Sequence, residues 1–171
     1  KEVINSDELK KFVMFPHSLY KDPKYWVAPI IKEELEILNK ETNPVFNNAT
    51  AHYFLAYIDG KIVGRIAALI NWIEVKDLNK KKVRFGWFDF IDDIDVSKAL
   101  LEKVIEIGKK NKLEFIEGPV GFSNMDKAGM LIKGFEKKNT MITMYNYSYY
   151  QDHMKVHGYS KLAEWVEYEL K

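Results

Sequence analysis

Residues Val83–Ile91 read Val-Arg-Phe-Gly-Trp-Phe-Asp-Phe-Ile and are almost unbroken in apolar and aromatic side chains. A strand of that composition is stable only when both of its faces are covered, so this stretch calls for a sheet buried between layers. Asp92-Asp93-Ile94-Asp95 interrupts it. Val96, Leu100, Val104 and Ile107 then recur at helical spacing, Leu101 and Ile105 widen the stripe, and Lys98, Glu102, Lys103, Glu106 and Lys109 take the opposite side. Backbone N–H groups converge where such a helix begins, a place suited to an anion. This chain puts three carboxylates there.

At 171 residues, with 47% hydrophobic and 14% aromatic content, the chain fits one domain with a core of large side chains. The longest apolar run, near Ile62–Ile70, is interrupted by Arg65 and is too short to span a bilayer. A net charge of +1, with lysine runs interleaved by acids, supplies no general pull toward nucleic acid. The absence of cysteine removes disulfides, thiolate zinc sites and cysteine nucleophiles together. The expected setting is cytoplasmic without membrane attachment, because no signal-like segment is present; a start at Lys1 rather than Met also fits part of a longer chain. The oligomeric state is left open.

Asn5 or Ser6 caps a first helix in this reading, with Glu8 as capping-box partner, Leu9, Phe12 and Val13 inward, and Pro16 limiting or kinking it. Leu19–Pro29 carries two prolines and several aromatics and reads as an ordered loop. A second helix is predicted over Ile30–Lys40. Tyr53–Ile58 and Ile62–Asn71 flank Asp59-Gly60, the signature of an antiparallel hairpin with a type I′ turn. Trp72–Lys82 reads as a polar connection to the Val83–Ile91 strand, and Leu113–Val120 as a strand after the helix. A short helix is expected around Met125–Lys133, another over Tyr149–His157 ended by Gly158, and a final strand through Leu162, Val166, Tyr168 and Leu170. This order is an α+β layer arrangement.

The order of elements, the segment Phe54–Ile66, the Phe85–Ile91 strand leading to Ser97–Lys110, and the Tyr149–Tyr159 helix ending in His157-Gly158-Tyr159 resemble the GNAT acyl-CoA N-acyltransferase superfamily. Phe15-Pro16, Leu19-Tyr20, Asp22-Pro23, Trp26-Val27 and Asn43-Pro44 resemble a narrower bacterial GNAT-like group. The resemblance implies a twisted, mostly antiparallel sheet with helices on both faces, whose fourth and fifth strands, here Val83–Ile91 and Leu113–Val120, splay apart to admit a pantetheine arm. It also implies acetyl-CoA or another acyl-CoA as donor and a small-molecule or protein amine as acceptor. Protein groups then position the reactants and handle protons. The backbone of Phe90 and Ile91 and the turn Asp92, Asp93, Val96 and Ser97 would hold the cofactor.

The chain departs from the resemblance at two places. The family's glycine-containing phosphate turn is replaced by Asp92-Asp93-Ile94-Asp95-Val96-Ser97, where an Asp equally reads as a helix cap. Its thiolate-protonating tyrosine is replaced by Met154, with Tyr149 and Tyr150 one turn earlier as alternative acids. Asp89 reads either as a proton acceptor or as a strand-end Asp bonded to backbone donors; Glu117 is a second candidate acceptor or a solvated acid. Arg65, inside an apolar strand, requires water, a carboxylate or an anion. Ser123, Asn124 and Asp126 fall where loops line clefts, and Tyr145 and Asn146 belong to an aromatic run that reads as a ligand wall or as sheet cover. His153 and His157 share a helix side, but the zinc-protease Glu is missing, so no metal is assigned. Two functions follow: an N-acyltransferase, or a GNAT-like binding module without cofactor binding.

Overall fold

The computed structural model describes residues 1–21, 24–123, 125–140 and 143–168. Helix α1 (Ser6–Leu19) begins where the Asn5 side chain accepts the Glu8 N–H, and it runs through Pro16 instead of stopping there. Helix α2 (Ile31–Ile37) is shorter than the predicted span. A 3-10 turn at Pro44–Asn47 leads into β1 (Ala49–Ile58), which is joined by Asp59-Gly60 to β2 (Lys61–Asn71). Both turn residues have positive φ, 48° and 76°, as a type I′ hairpin requires. The polar connection contains a short helix, α3 (Trp72–Lys76), before β3 (Lys82–Phe90). Helix α4 (Ile94–Lys110) and strand β4 (Phe115–Glu117) follow, and α5 (Tyr149–Val156) closes the regular structure.

The sheet order is β1-β2-β3-β4, antiparallel until β3 and β4, which run parallel. That last pairing covers only Lys82–Arg84 against Phe115–Glu117. Past it the chain stays beside β3 as far as Val120, whose N–H donates to Phe85 O at 2.8 Å; no strand among the described residues pairs with Trp87–Phe90 on that side, so the two strands part there. One core, with Phe85, Phe88, Phe90, Leu100 and Val104, lies under α4 and α5; a second, with Phe12, Val13, Leu38, Leu55 and Leu69, lies under α1 and α2. Helices therefore cover both faces. Glu74, Lys82, Arg84 and Glu117 form a largely buried charge network that ties α3 to β3 and β4.

Two expected elements are absent among the described residues. The segment around Met125–Lys133 is irregular, held by a bridge between Val120 and Ala128 and by the Gly129 N–H on Pro119 O. Three glycines in the Gly121–Gly134 stretch leave a helix there without enough propensity. Residues 159–168 form no strand, and Leu162, Trp165, Val166 and Tyr168 are exposed, so their alternation finds no neighbouring strand; Leu170 lies outside the described residues.

Candidate active site

A β-bulge in β3 sets the position of every group in the site. Ala67 pairs with Gly86 and Arg65 with Asp89, so Ile66 alone faces both Trp87 and Phe88. Trp87 takes a left-handed φ of 46°, a conformation that costs about 1–3 kcal/mol in a non-glycine residue. The extra residue changes which positions share a face. Phe85, Phe88 and Phe90 all enter the α4 core, whereas Trp87 and Asp89 are delivered to the α1 side with Arg65. Gly86 is needed beside the bulge, because an added Cβ would stand 2.6 Å from Val120 O.

Asp89, 9% exposed, is held between two partners: Arg65 Nε donates to Oδ2 at 2.7 Å and the Tyr20 hydroxyl to Oδ1 at 2.9 Å. Arg65 also donates to Phe12 O and lies over the Phe12 ring. The Tyr20 and Tyr150 hydroxyls are 3.0 Å apart, and the Phe90 N–H donates to the Tyr150 oxygen at 3.1 Å. A phenol has one proton, and that of Tyr20 is on Asp89, so Tyr150 must donate to Tyr20. The result is a directed chain from Phe90 N–H through Tyr150 and Tyr20 to the Asp89 carboxylate. Burial first, and the Asp89 charge second, push both hydroxyls well above the ordinary phenol value, which keeps them protonated as donors. Such a chain can move a proton between the carboxylate and Tyr150 without forming a stable phenolate.

This chain is the floor of a cleft of ≈ 190 Å³. Its walls come from the loop after α1 (Trp26, Val27, Pro29), from α2 (Glu34, Ile37), from the bulge (Gly86–Asp89), from the loop after β4 (Pro119–Gly121, Asp126, Lys127, Gly129, Met130) and from Met144–Asn146. Apolar walls around a few convergent polar groups are the usual form of a small-molecule site. Of the residues singled out by sequence, Arg65, Asp89, Asp126, Tyr145, Asn146 and Tyr150 meet in this cleft. Asn146 is buried and holds the wall by bonding both Leu131 N–H and O. Ser123 does not line the cleft; its N–H donates to Asp126. Asn124 lies outside the described residues.

Glu117 stands at the paired end of β4, on Lys82 at 2.8 Å, and is not part of the cleft lining. Tyr149 lies behind the floor, its hydroxyl donating to Phe90 O; burial, then the Asp92 charge, raises its pKa. Periodicity gave no sign of Tyr20, Trp26, Glu34 or Trp87 as site residues. Tyr20 follows the last turn of α1 and meets Asp89 and Tyr150 only through tertiary packing.

The turn expected to hold a cofactor can be tested on its own donors. Asp93 caps α4, accepting from the N–H groups of Asp95 and Val96, and the Ser97 N–H goes to Asp93 O. Asp92 bonds His153 Nε2 at 3.0 Å. Ser97 Oγ lies 2.8 Å from both His153 Nδ1 and His157 Nε2, which fastens α5 to the first turn of α4. Phe90 N–H and O, at the edge where a pantetheine arm would lie, are already paired with Tyr150 and Tyr149. With these donors engaged and three carboxylates present, the turn does not fit a CoA diphosphate, and no step is assigned to one. No group of three metal-ligating side chains converges among the described residues.

Sheet order, splay and flanking helices give the chain the fold of the GNAT acetyltransferase superfamily. A predicted acetyltransferase with acetyl-CoA from Clostridium acetobutylicum matches at a TM-score of 0.60 and 13% identity, covering 99% of this chain and 94% of that one. An aminoglycoside acetyltransferase from an uncultured soil metagenomic sample, in complex with sisomicin, matches at 0.57 and 16% identity, covering 100% and 96%. By sequence the chain is similar to Protein YghO of Escherichia coli, 32% identical over 168 residues, and to a bacterial ceramide synthase of Caulobacter vibrioides, 28% identical over 164 residues. These alignments cover 96% and 95% of this chain but 43% and 42% of the relatives, so the chain spans less than half of their length. No family model matches it. No helix among the described residues is long and apolar enough to cross a membrane.

Proposed function

We propose that the protein transfers an activated acyl group to an amine in the cleft above Asp89. The observation that carries this reading is the carboxylate on the floor of an apolar cleft, connected through Tyr20 to Tyr150. As the amine nitrogen attacks the acyl carbonyl it becomes acidic, and Asp89 accepts its proton. In this reading Tyr150, the far member of the chain, gives its proton to the departing group and is reprotonated through Tyr20 by the proton that Asp89 has taken up. Arg65 holds the carboxylate in position between turnovers. The GNAT fold supports acyl transfer as the reaction class, and the sisomicin complex of one neighbour supports an amine acceptor. Similarity to a ceramide synthase supports an acceptor whose amine is carried on a long alkyl chain.

The test is N-acylation of an alkylamine by acyl thioesters, with and without a CoA diphosphate, using Asp89→Asn as the variant. We expect a fall in turnover of ~10²–10⁴-fold with the melting temperature little changed. An unchanged rate removes Asp89 from the mechanism.

A second reading, a binding module that shares the fold without its cofactor, is favoured by the acid-capped turn and the paired edge at Phe90. Calorimetric titration with acetyl-CoA separates the two readings. Saturable binding supports the enzyme; a folded protein giving no heat, and no acylation with any thioester, supports the module.

A further inference from the structure

Glu34 is the partly buried acid of the cleft for which no ion pair is found among the described residues. Asp89 is paired with Arg65, and Asp126 accepts the Ser123 N–H at the exposed rim beside Lys127. Glu34 is partly buried on α2, and its Oε2 accepts only the indole N–H of Trp87 at 2.7 Å, a neutral donor. Its Oε1 has no hydrogen-bond partner among the described residues. The indole bond fixes the carboxylate against one cleft wall and leaves its other oxygen to take the hydrogen bonds of a cation. Nearby, Val27 and Ile37 are 51% and 40% exposed, so the mouth of the cleft is apolar as well.

The geometry points to a primary alkylammonium as the ligand of this cleft, its charged end on Glu34 and its chain along Trp26, Val27, Ile37 and Met144. The three carboxylates of the lining exceed its two cations, Arg65 and Lys127, by one, which matches a ligand carrying one positive charge. Of the two lining acids without an ion pair among the described residues, Asp126 is exposed and Glu34 is half-buried, so the ligand's charge answers Glu34. This rests on the acyl-transfer reading and adds the group that captures the acceptor as its ammonium; the nitrogen gives up that proton and leaves Glu34 before it attacks above Asp89, while binding at Glu34 needs no acyl donor.

The test is calorimetric titration with dodecylamine, below its micelle concentration and without donor, compared with dodecanoate and dodecanol. We expect saturable binding of the amine only, weakened roughly tenfold or more by Glu34→Gln. Gln can still accept the Trp87 indole N–H, and an unchanged melting temperature confirms that the wall is intact. Equal or tighter binding of dodecanoate, no amine binding, or amine binding insensitive to Glu34→Gln overturns the inference. Amine binding without acylation by any thioester would end the acyl-transfer reading and leave this one standing. Acylation whose KM for the amine ignores Glu34→Gln would do the reverse.

Discussion

At the residue scale, the site depends on which oxygen holds which proton. Tyr20 gives its only proton to Asp89 and takes one from Tyr150, so it is the link between carboxylate and acid. Tyr20→Phe removes one hydroxyl and leaves the ring among Trp26, Tyr145 and Tyr147. Asp89 then loses a donor and Tyr150 an acceptor, and the buried groups left short cost about 1–3 kcal/mol. If the chain also carries a proton in turnover, kcat should fall by ~10–100-fold and the solvent isotope effect on kcat should change, with KM for the amine little affected. Urea denaturation and steady-state kinetics check the two parts. Lower stability with unaltered kcat would leave Tyr20 a packing residue.

At the element scale, α5 is fastened to α4 through titratable groups. The His157 ring is held below its ordinary pKa of 6.5 by partial burial first, then by His153 and Lys98, with Glu102 opposing. His17 is lowered as well, by burial and by Arg65, with Glu34 opposing. Folding thus favours the neutral imidazoles, and the unfolded chain binds more protons near and below pH 6.5. This stabilising contribution is complete above that pH and is lost as pH falls through the lower folded-state values. The melting temperature should therefore drop on titration from about pH 7.5 to 5.5, with other acid-sensitive groups adding their own slopes. His157→Gln, whose amide can still reach Ser97, should make the drop shallower. A slope identical to that of the parent would show that His157 does not titrate differently on folding.

For the whole molecule, the central sheet is shared by two cores, one under α1 and α2 and one under α4 and α5. Phe12 is fully buried in the first and Leu100 almost fully in the second. Phe12→Ala should cost about 3–5 kcal/mol and Leu100→Ala about 2–5 kcal/mol, through lost burial and residual cavities. If the chain is one cooperative unit, each variant melts in a single transition, and the double variant loses the sum to within about 0.5 kcal/mol. Two resolved transitions by calorimetry would divide the chain at the sheet.

Much of this architecture is local chemistry and can be read directly from residue order. Asn5 followed by Glu8 makes a cap, Asp59-Gly60 makes a type I′ turn, and the 3.6-residue stripe from Val96 to Ile107 makes α4, because each depends on residues within a few positions of one another. Arg65 and Asp89 could be singled out as charged residues inside apolar strands, Asp126 as a residue of a loop beyond a strand, and Tyr150 through the resemblance, though not as neighbours. Their assembly depends on the tertiary structure. The bulge at Trp87 reverses the alternation of β3, so Asp89 shares a face with Arg65 rather than with Phe85, and strict period-two reading has no term for that extra residue. Tyr20 and Tyr150 meet across 130 positions, and Glu34 reaches Trp87 across 53, only because α1 and α2 pack on one side of β3 and α5 on the other. Local propensity decides which elements form; packing against a bulged strand decides which side chains face the same cleft.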